Sequence, residues 1–274
     1  MLKFFVVLVL FFASLAGLIL GGGGILILST PRPTGIRGCF VTKMYQVRLC
    51  PTEPGYVRTN EVSPFVKMAV VASEDTAFYD HQGIDWNEMH ASFQRDLEEG
   101  RFARGGSTIT QQLAKNLYLS KEKSVWRKLK ETLIAVQIEK ILKKDEILEK
   151  YLNVVEFGPN LYGISKASQF YFHKTPLQLN LQEGTFIAFL LPNPKKYSAS
   201  FRNGQLTKFA SSQLREILGR LLHFHKISQD DYDVAVGRLP TLFKSETAKP
   251  AVLESDDPSL SLDDDLATEP PPEP

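Results

Sequence analysis

The chain has 274 residues, with 32 Lys plus Arg against 31 Asp plus Glu and a formal net charge of +1 at pH 7. That balance gives no support to a nucleic-acid binder, which usually carries a marked basic excess. The length suits one sizeable domain with appendages.

Phe4 to Leu28 contains no charged residue. About 20 apolar residues are enough to cross a bilayer, whereas the apolar core of a cleaved signal peptide is typically about 7–15 residues. A retained membrane anchor is therefore expected over 1–30, despite the four glycines at 21–24, because glycine is common in membrane helices. Lys3 lies before this run, and Arg32, Arg37, Lys43 and Arg48 lie after it. Taken alone, that charge count places the bulk of the chain in the cytoplasm. Residues 31–61 read as a linker or pre-domain segment. Within it, Cys39 and Cys50 either close a small loop in an oxidising compartment or remain free thiols, and both readings stand.

The body, 62–240, is dominated by helical periodicity. "SPFVKMAVVAS" offers Ser63 as N-cap and Pro64 as first helical residue, and delivers Glu74 at or just past the helix end. "DWNEMHASFQRDLEEG" starts with a capping box from Asp85 to Glu88 and stops at Gly100. Its stripe of Trp86, Met89, Phe93 and Leu97 is expected to face the core, as most such stripes do; beside a membrane anchor a minority dip into lipid instead. "GGSTITQQLAKNLYL" reads as a glycine turn feeding a helix, with Thr108 and Gln111 at capping-box spacing and Thr108, Gln111, Gln112 and Lys115 on its polar face. "KSVWRKLKETLIAVQIEKILKKDEILEKYLN" is a long helix with a break expected near Lys144-Asp145. Further helices are expected in "NLYGISKASQFYFHK", "NLQEGTFIAFLLPNP" and "KFASSQLREILGRLLHFHK". The acidic, Pro-rich segment 241–274 cannot bury enough apolar surface to fold and reads as a disordered tail. The fold class is mainly α, preceded by one transmembrane helix.

Glu74 and Asp75 are adjacent acids at a helix-to-loop junction, where side chains are readily presented to a cleft; a solvated surface pair is the plain alternative. Glu131 shares a stripe with Ile134, Ala135, Ile138 and Leu142. A carboxylate there faces desolvation unless a partner compensates, and Arg127, one turn earlier, is placed to do so. Such a pair is either a structural ion pair or part of a cleft that handles a polar substrate. The start of the "STITQQLAKN" helix exposes backbone N–H groups suited to phosphate, and Lys115, Arg127 and Lys128 add positive charge. A Walker-type loop, a G-x-S-x-G elbow and a metal-type His/Cys cluster are all missing from the sequence. Two separated acids, an anion-ready helix and nearby cations at a membrane match the needs of sugar transfer from a lipid pyrophosphate. A base deprotonates the acceptor hydroxyl, and cations stabilise the departing diphosphate.

Five stretches in order, "EDTAFYDHQG", "GGSTITQQLAKN", "RKLKETLIAVQIE", "KDEILEKYLNVVEFGPNLYGISKASQFYF" and "LQEGTFIAFLLPNPKKYS", resemble the motifs of the peptidoglycan glycosyltransferase family, found in class A penicillin-binding proteins and in monofunctional transglycosylases. The likeness runs from about Val62 to Tyr197. It implies a lysozyme-like glycosyltransferase domain with a membrane-facing jaw, and lipid II with a lipid-linked glycan chain as substrates. It implies Glu74 as catalytic base and Glu131 as second catalytic glutamate near the diphosphate. It places Asp75, Phe78, His81, Ser107, Thr108, Gln112, Lys115, Asn116, Arg127 and Lys128 in substrate binding. It also implies a divalent cation, Mg or Mn, near Glu131, no organic cofactor, and other cell-wall synthesis or division proteins as partners.

The same resemblance places the catalytic domain outside the cytoplasmic (inner) membrane, on the periplasmic side of a single-pass anchor, against the charge count. An acidic tail in place of a transpeptidase fits the monofunctional branch, while "ISKASQFYF" is less alanine-rich than the family pattern. A lysozyme-like enzyme that cleaves peptidoglycan and a catalytically idle scaffold are the competing functions. The first would not need the cations, and the second would not need both acids.

Overall fold

The computed structural model describes residues 2–99, 106–122 and 124–243. The tail expected from 241 onward lies outside the described residues beyond Phe243, as does Gly100 at the expected end of its helix. Twelve α-helices and four short strands follow in chain order among the described residues. Helix α1 is Leu2–Ser29; strands β1 (Phe40–Val41) and β2 (Arg48–Leu49) precede α2 (Pro64–Glu74), α3 (Trp86–Glu99), α4 (Ile109–Tyr118), α5 (Val125–Ile141) and α6 (Lys144–Val154). Strands β3 (Glu156–Gly158) and β4 (Leu161–Tyr162) lead to α7 (Ile164–Phe172), α8 (Leu181–Leu190), α9 (Pro194–Tyr197), α10 (Ala199–Arg202), α11 (Lys208–His223) and α12 (Gln229–Arg238). Within α1, the 20 residues Leu10–Ser29 form the one helical stretch among the described residues that is long and apolar enough to cross a membrane.

The core is built around α8, whose residues from Leu181 to Leu190 are all buried. A helix buried on every side belongs at the centre of a packed body; the one carboxylate of α8, Glu183, is paired with Lys174 Nζ at 2.7 Å. The helix lies tight against α2: a Cβ at Gly184 would sit 2.9 Å from the Val66 backbone nitrogen, so only glycine allows that approach. Helix α11 covers α2 and α8 with Leu214, Leu218 and Leu221, all fully buried. Helices α4, α5 and α6 pack together beside this group and carry Leu113, Ile134, Ile138 and Leu148 into the same core.

Residues 31–61 pack against the body. β1 and β2 pair antiparallel, Phe40 opposite Leu49, and Cys39 and Cys50 beside them are disulfide-bonded. Lys43 and Met44 donate their backbone N–H groups to Leu117 and Asn116 carbonyls of α4 at 3.0 and 3.2 Å. Tyr56 donates its hydroxyl to Glu149 Oε1 at 2.6 Å, and the Val57 N–H reaches Asn153 Oδ1 at 2.9 Å. Ile36, Leu49 and Val57 are buried in the main core.

Local sequence chemistry sets most helix ends. Thr108 and Gln111 form the expected reciprocal capping box on α4. The long helix breaks at Leu142-Lys143, where Lys143 becomes the N-cap of α6 and its N–H bonds Glu146 Oε2 at 2.8 Å. Pro64 opens α2 as expected, but the Ser63 side chain makes no cap bond; its backbone N–H is spent on Pro176 O at 3.1 Å. The "NLYGIS" stretch starts as β4 rather than helix, because Glu156–Gly158 offers it a hairpin partner. The core expectation for the α3 stripe is overturned: Trp86, Met89, Phe93 and Leu97 are 65%, 43%, 59% and 68% exposed.

Candidate active site

Glu74 closes α2, and the chain turns sharply at Asp75. Both residues line one cavity, but their carboxylates have different partners. Asp75 is buried and caps α4 from outside: its Oδ2 accepts the Ile109 N–H at 2.9 Å, placing negative charge at a helix start. Its Oδ1 accepts from His81 Nε2 at 2.9 Å. The Gly83 N–H donates to His81 Nδ1 at 3.1 Å, which fixes the proton on Nε2. Thr108 Oγ1 donates to the Gly83 carbonyl at 2.8 Å, so the loop after Asp75 is bolted to the start of α4.

Glu74 lines an open cavity of about 850 Å³ together with Asp75, Thr76, Ser107, Thr108 and the α11 residues Arg220 and His223. Burial pushes its carboxyl above the ordinary range; a hydrogen bond from Gln112 and the charge of Lys115 oppose that rise, and Asp75 adds to it. Gln112 Nε2 donates to Glu74 Oε2 at 2.8 Å, while its Oε1 accepts the Tyr151 hydroxyl at 3.1 Å. Tyr151 is fully buried and its phenol is held neutral, first by burial and then by Glu74 and Asp75. It is therefore a donor only in this geometry, and it orients the amide so that nitrogen meets the carboxylate.

Glu131 is 2% exposed and carries a cation on each oxygen: Arg127 Nη1 on Oε2 at 2.9 Å and Lys128 Nζ on Oε1 at 2.5 Å. The spacing of three and four residues on α5 puts both cations on its own face. Lys128 Nζ also donates to Ser107 Oγ at 2.7 Å, and Ser107 lines the Glu74 cavity, so the basic group begins at the rim of that cavity. Arg127 keeps a buried Nε–H with no hydrogen-bond partner among the described residues. Lys115 of α4 is pulled below its ordinary value by burial, against the attraction of Glu131; Lys128 and Arg127 lower it further and Glu74 raises it. The result is a bank of cations whose single carboxylate is already saturated.

The expected site residues thus divide. Glu74, Ser107, Gln112, Lys115, Arg127 and Lys128 are partly accessible around the two acids. Phe78, Thr108 and Asn116 are buried, at 0%, 2% and 4% exposure; Thr108 and Asp75 still line the Glu74 cavity, and Asp75 is bonded to His81 behind it. Phe78 packs edge-on to His81 and lies under Lys144 Nζ, 4.6 Å from the ring centre. Tyr151 and the α11 side of the cavity were not expected; nothing local in "EKYLN" marks Tyr151 as a partner of a residue 39 positions earlier. The residues do not fit a protein-built divalent metal site: both Glu131 oxygens are engaged, and no cluster of three His, Cys, Asp or Glu occurs among the described residues.

Comparison with known proteins agrees with this geometry. The chain is similar to the biosynthetic peptidoglycan transglycosylase of Chromobacterium violaceum, 45% identical over 142 residues, covering 52% of this chain and 62% of that one. It is 42% identical over 166 residues to the protein of the same name from Nitrosomonas eutropha, covering 61% and 66% of the two chains. The matched stretch is thus under two thirds of the length of these relatives. A solved structure of Penicillin-Binding Protein 1A from Haemophilus influenzae aligns at 21% identity over 73% of this chain and 19% of that one, with a TM-score of 0.36, too low to bear on the fold. The family described as Transglycosylase matches residues 43–221, well over half of the sequence and a span that includes Glu74 and Glu131, and the chain belongs to that family.

Proposed function

We propose that the chain is a membrane-anchored peptidoglycan glycosyltransferase that polymerises glycan strands from lipid II and releases undecaprenyl diphosphate. The observation that carries this reading is the pairing of a desolvated carboxylate, Glu74, in an open cavity with cations that begin at the cavity rim. Glu74 accepts the proton of the acceptor hydroxyl as that oxygen attacks the anomeric carbon of the donor. The new C–O bond forms as the bond from that carbon to the diphosphate oxygen breaks, with inversion, as expected from family likeness. Lys115, Lys128 and the unpartnered Nε–H of Arg127 take up the charge that develops on the leaving diphosphate. Glu131 holds Arg127 and Lys128 in position for this. A divalent cation that takes part would arrive bound to the diphosphate.

Two features support a catalytic domain on the periplasmic side of the cytoplasmic membrane. The Cys39–Cys50 bridge belongs in an oxidising compartment. The exposed Trp86, Met89, Phe93 and Leu97 give α3 an apolar face that suits the membrane surface from which a lipid-linked substrate is drawn. Detergent-solubilised protein should convert labelled lipid II into lysozyme-sensitive polymer, and Glu74→Gln should abolish this while remaining folded. Soluble fragments released from finished cell wall, without polymer from lipid II, would replace this reading with a cleaving enzyme.

A further inference from the structure

Beyond the Glu74 cavity lies a second one of about 550 Å³, on the outer face of α2 under the end of α11. Thr76 and Phe224 line both cavities, so the two meet at that pair. The floor of the second is apolar, made by Met68, Val71 and Leu221. Its rim carries Lys67, Lys226 and Asp80. Lys67 gives one hydrogen bond to the Thr59 carbonyl at 3.0 Å, which leaves two of its three donors. None of these three charges takes part in a described salt bridge.

We propose that this second cavity seats the peptide substituent of the acceptor saccharide; this rests on the glycosyltransferase reading above. A sugar placed with its hydroxyl at Glu74 has the Thr76–Phe224 saddle beside it, and a branch crossing the saddle enters the second cavity. The volume lies within the ~300–1,000 Å³ typical of pockets that hold a small ligand, which suits a peptide of a few residues. Two cations with one anion around a small apolar floor complement a chain that carries carboxylates and an amine between short apolar side chains. A lipid tail would leave all three rim charges facing hydrocarbon, and a second sugar ring would leave them without ionic partners. Lys67 and Lys226 take the peptide carboxylates, Asp80 takes the amine, and the floor takes the methyl groups.

The test compares full-length, detergent-solubilised wild type with Lys226→Glu, a change at an exposed side chain. Each is given lipid II with an intact peptide and lipid II with the peptide cut back to its first residue, and each is titrated with a soluble muramyl pentapeptide that lacks lipid and diphosphate. Wild type should favour the intact substrate by about tenfold in kcat/KM. In Lys226→Glu that ratio should fall toward one, with the change in KM and with weaker binding of the soluble muramyl peptide. Polymerisation by wild type at equal efficiency on both substrates would overturn the peptide seat and leave the glycosyltransferase reading intact. If wild type makes no polymer, that reading fails, and the binding titration decides the seat by itself: weaker binding in Lys226→Glu supports it, and equal binding overturns it.

Discussion

Gln112→Leu separates the electrostatic role of Gln112 from simple packing. In the folded protein Gln112 Nε2 donates to Glu74 Oε2 at 2.8 Å, and this bond favours the ionised carboxylate against the burial that raises its pKa. A hydrogen bond to a charged group is worth about 1.5–3 kcal/mol, and about 1.4 kcal/mol corresponds to one pH unit. Removing the donor disfavours the charged form, so Glu74 needs a higher pH to ionise. Since a base acts only when ionised, the acid limb of the polymerisation rate should move up by about 1–2 pH units, with most of the rate recovered on the alkaline plateau. The change also strips the Tyr151 hydroxyl of its acceptor, and a buried unsatisfied donor costs about 1–3 kcal/mol of stability. Pairing it with Tyr151→Phe removes that penalty and leaves the pH shift. Initial rates of lipid II polymerisation from pH 5 to 9, as a guide, read the limb directly. A limb that stays in place while the whole curve drops would refute the charge-tuning role and leave Gln112 a packing residue.

Glu74→Gln should raise thermal stability at neutral and alkaline pH while abolishing polymerisation. A carboxyl whose folded pKa is raised costs stability as pH climbs through that value, and the amide avoids the cost; below the ordinary carboxylate range the two proteins should melt alike. Lys115→Met should lower kcat/KM by about 10²–10³, as loss of one donor to a developing anion does, without lowering the melting temperature, because burial already disfavours the Lys115 charge. Loss of stability with little loss of rate would contradict its anion role. In a Trp126→Phe background, Trp86 fluorescence in nanodiscs should be quenched by brominated lipid; an unquenched Trp86 would show that the exposed α3 face meets something other than the bilayer.

The features that were legible in the sequence are those set within one helical turn. The Thr108–Gln111 box and the Arg127–Glu131 pair depend on residues three or four apart, Pro64 at the start of α2 on its own ring, and the structure holds all of them. The break in the long helix was read two residues late, because the Lys143 cap is made by backbone and Glu146 rather than by a typical capping side chain. Periodicity showed that Trp86, Met89, Phe93 and Leu97 share a face of α3 but carried no information about what covers that face. The docking of 31–61 rests on backbone bonds from Lys43 and Met44 and on side chains more than 90 residues away in sequence, such as Tyr56 with Glu149, which leave no local pattern. Phe78 and Asn116 stand in the motifs, and both are buried, which a motif by itself does not reveal.

Helix α4 joins the two halves of the chemistry. Asp75 and His81 fix its N-terminus, with the imidazole tautomer set by Gly83 and the carboxylate set against the free N–H of Ile109. One turn on, Gln112 reaches Glu74, and three residues further Lys115 enters the field of Glu131 and its cations. Helix α4 thus touches both acids' surroundings, while Glu74 itself stands on α2 and Arg127 and Lys128 on α5, so a shift of α4 would move Gln112 and Lys115 relative to them. The adjacent acids divide the work. Asp75 spends its charge on anchoring that helix, where two donors satisfy it. Glu74 accepts one donor and keeps a carboxylate made more basic by burial. A second full donor on Glu74 would stabilise the folded protein and lower the basicity of its carboxylate, so its incomplete satisfaction is the state that the proposed general-base role requires.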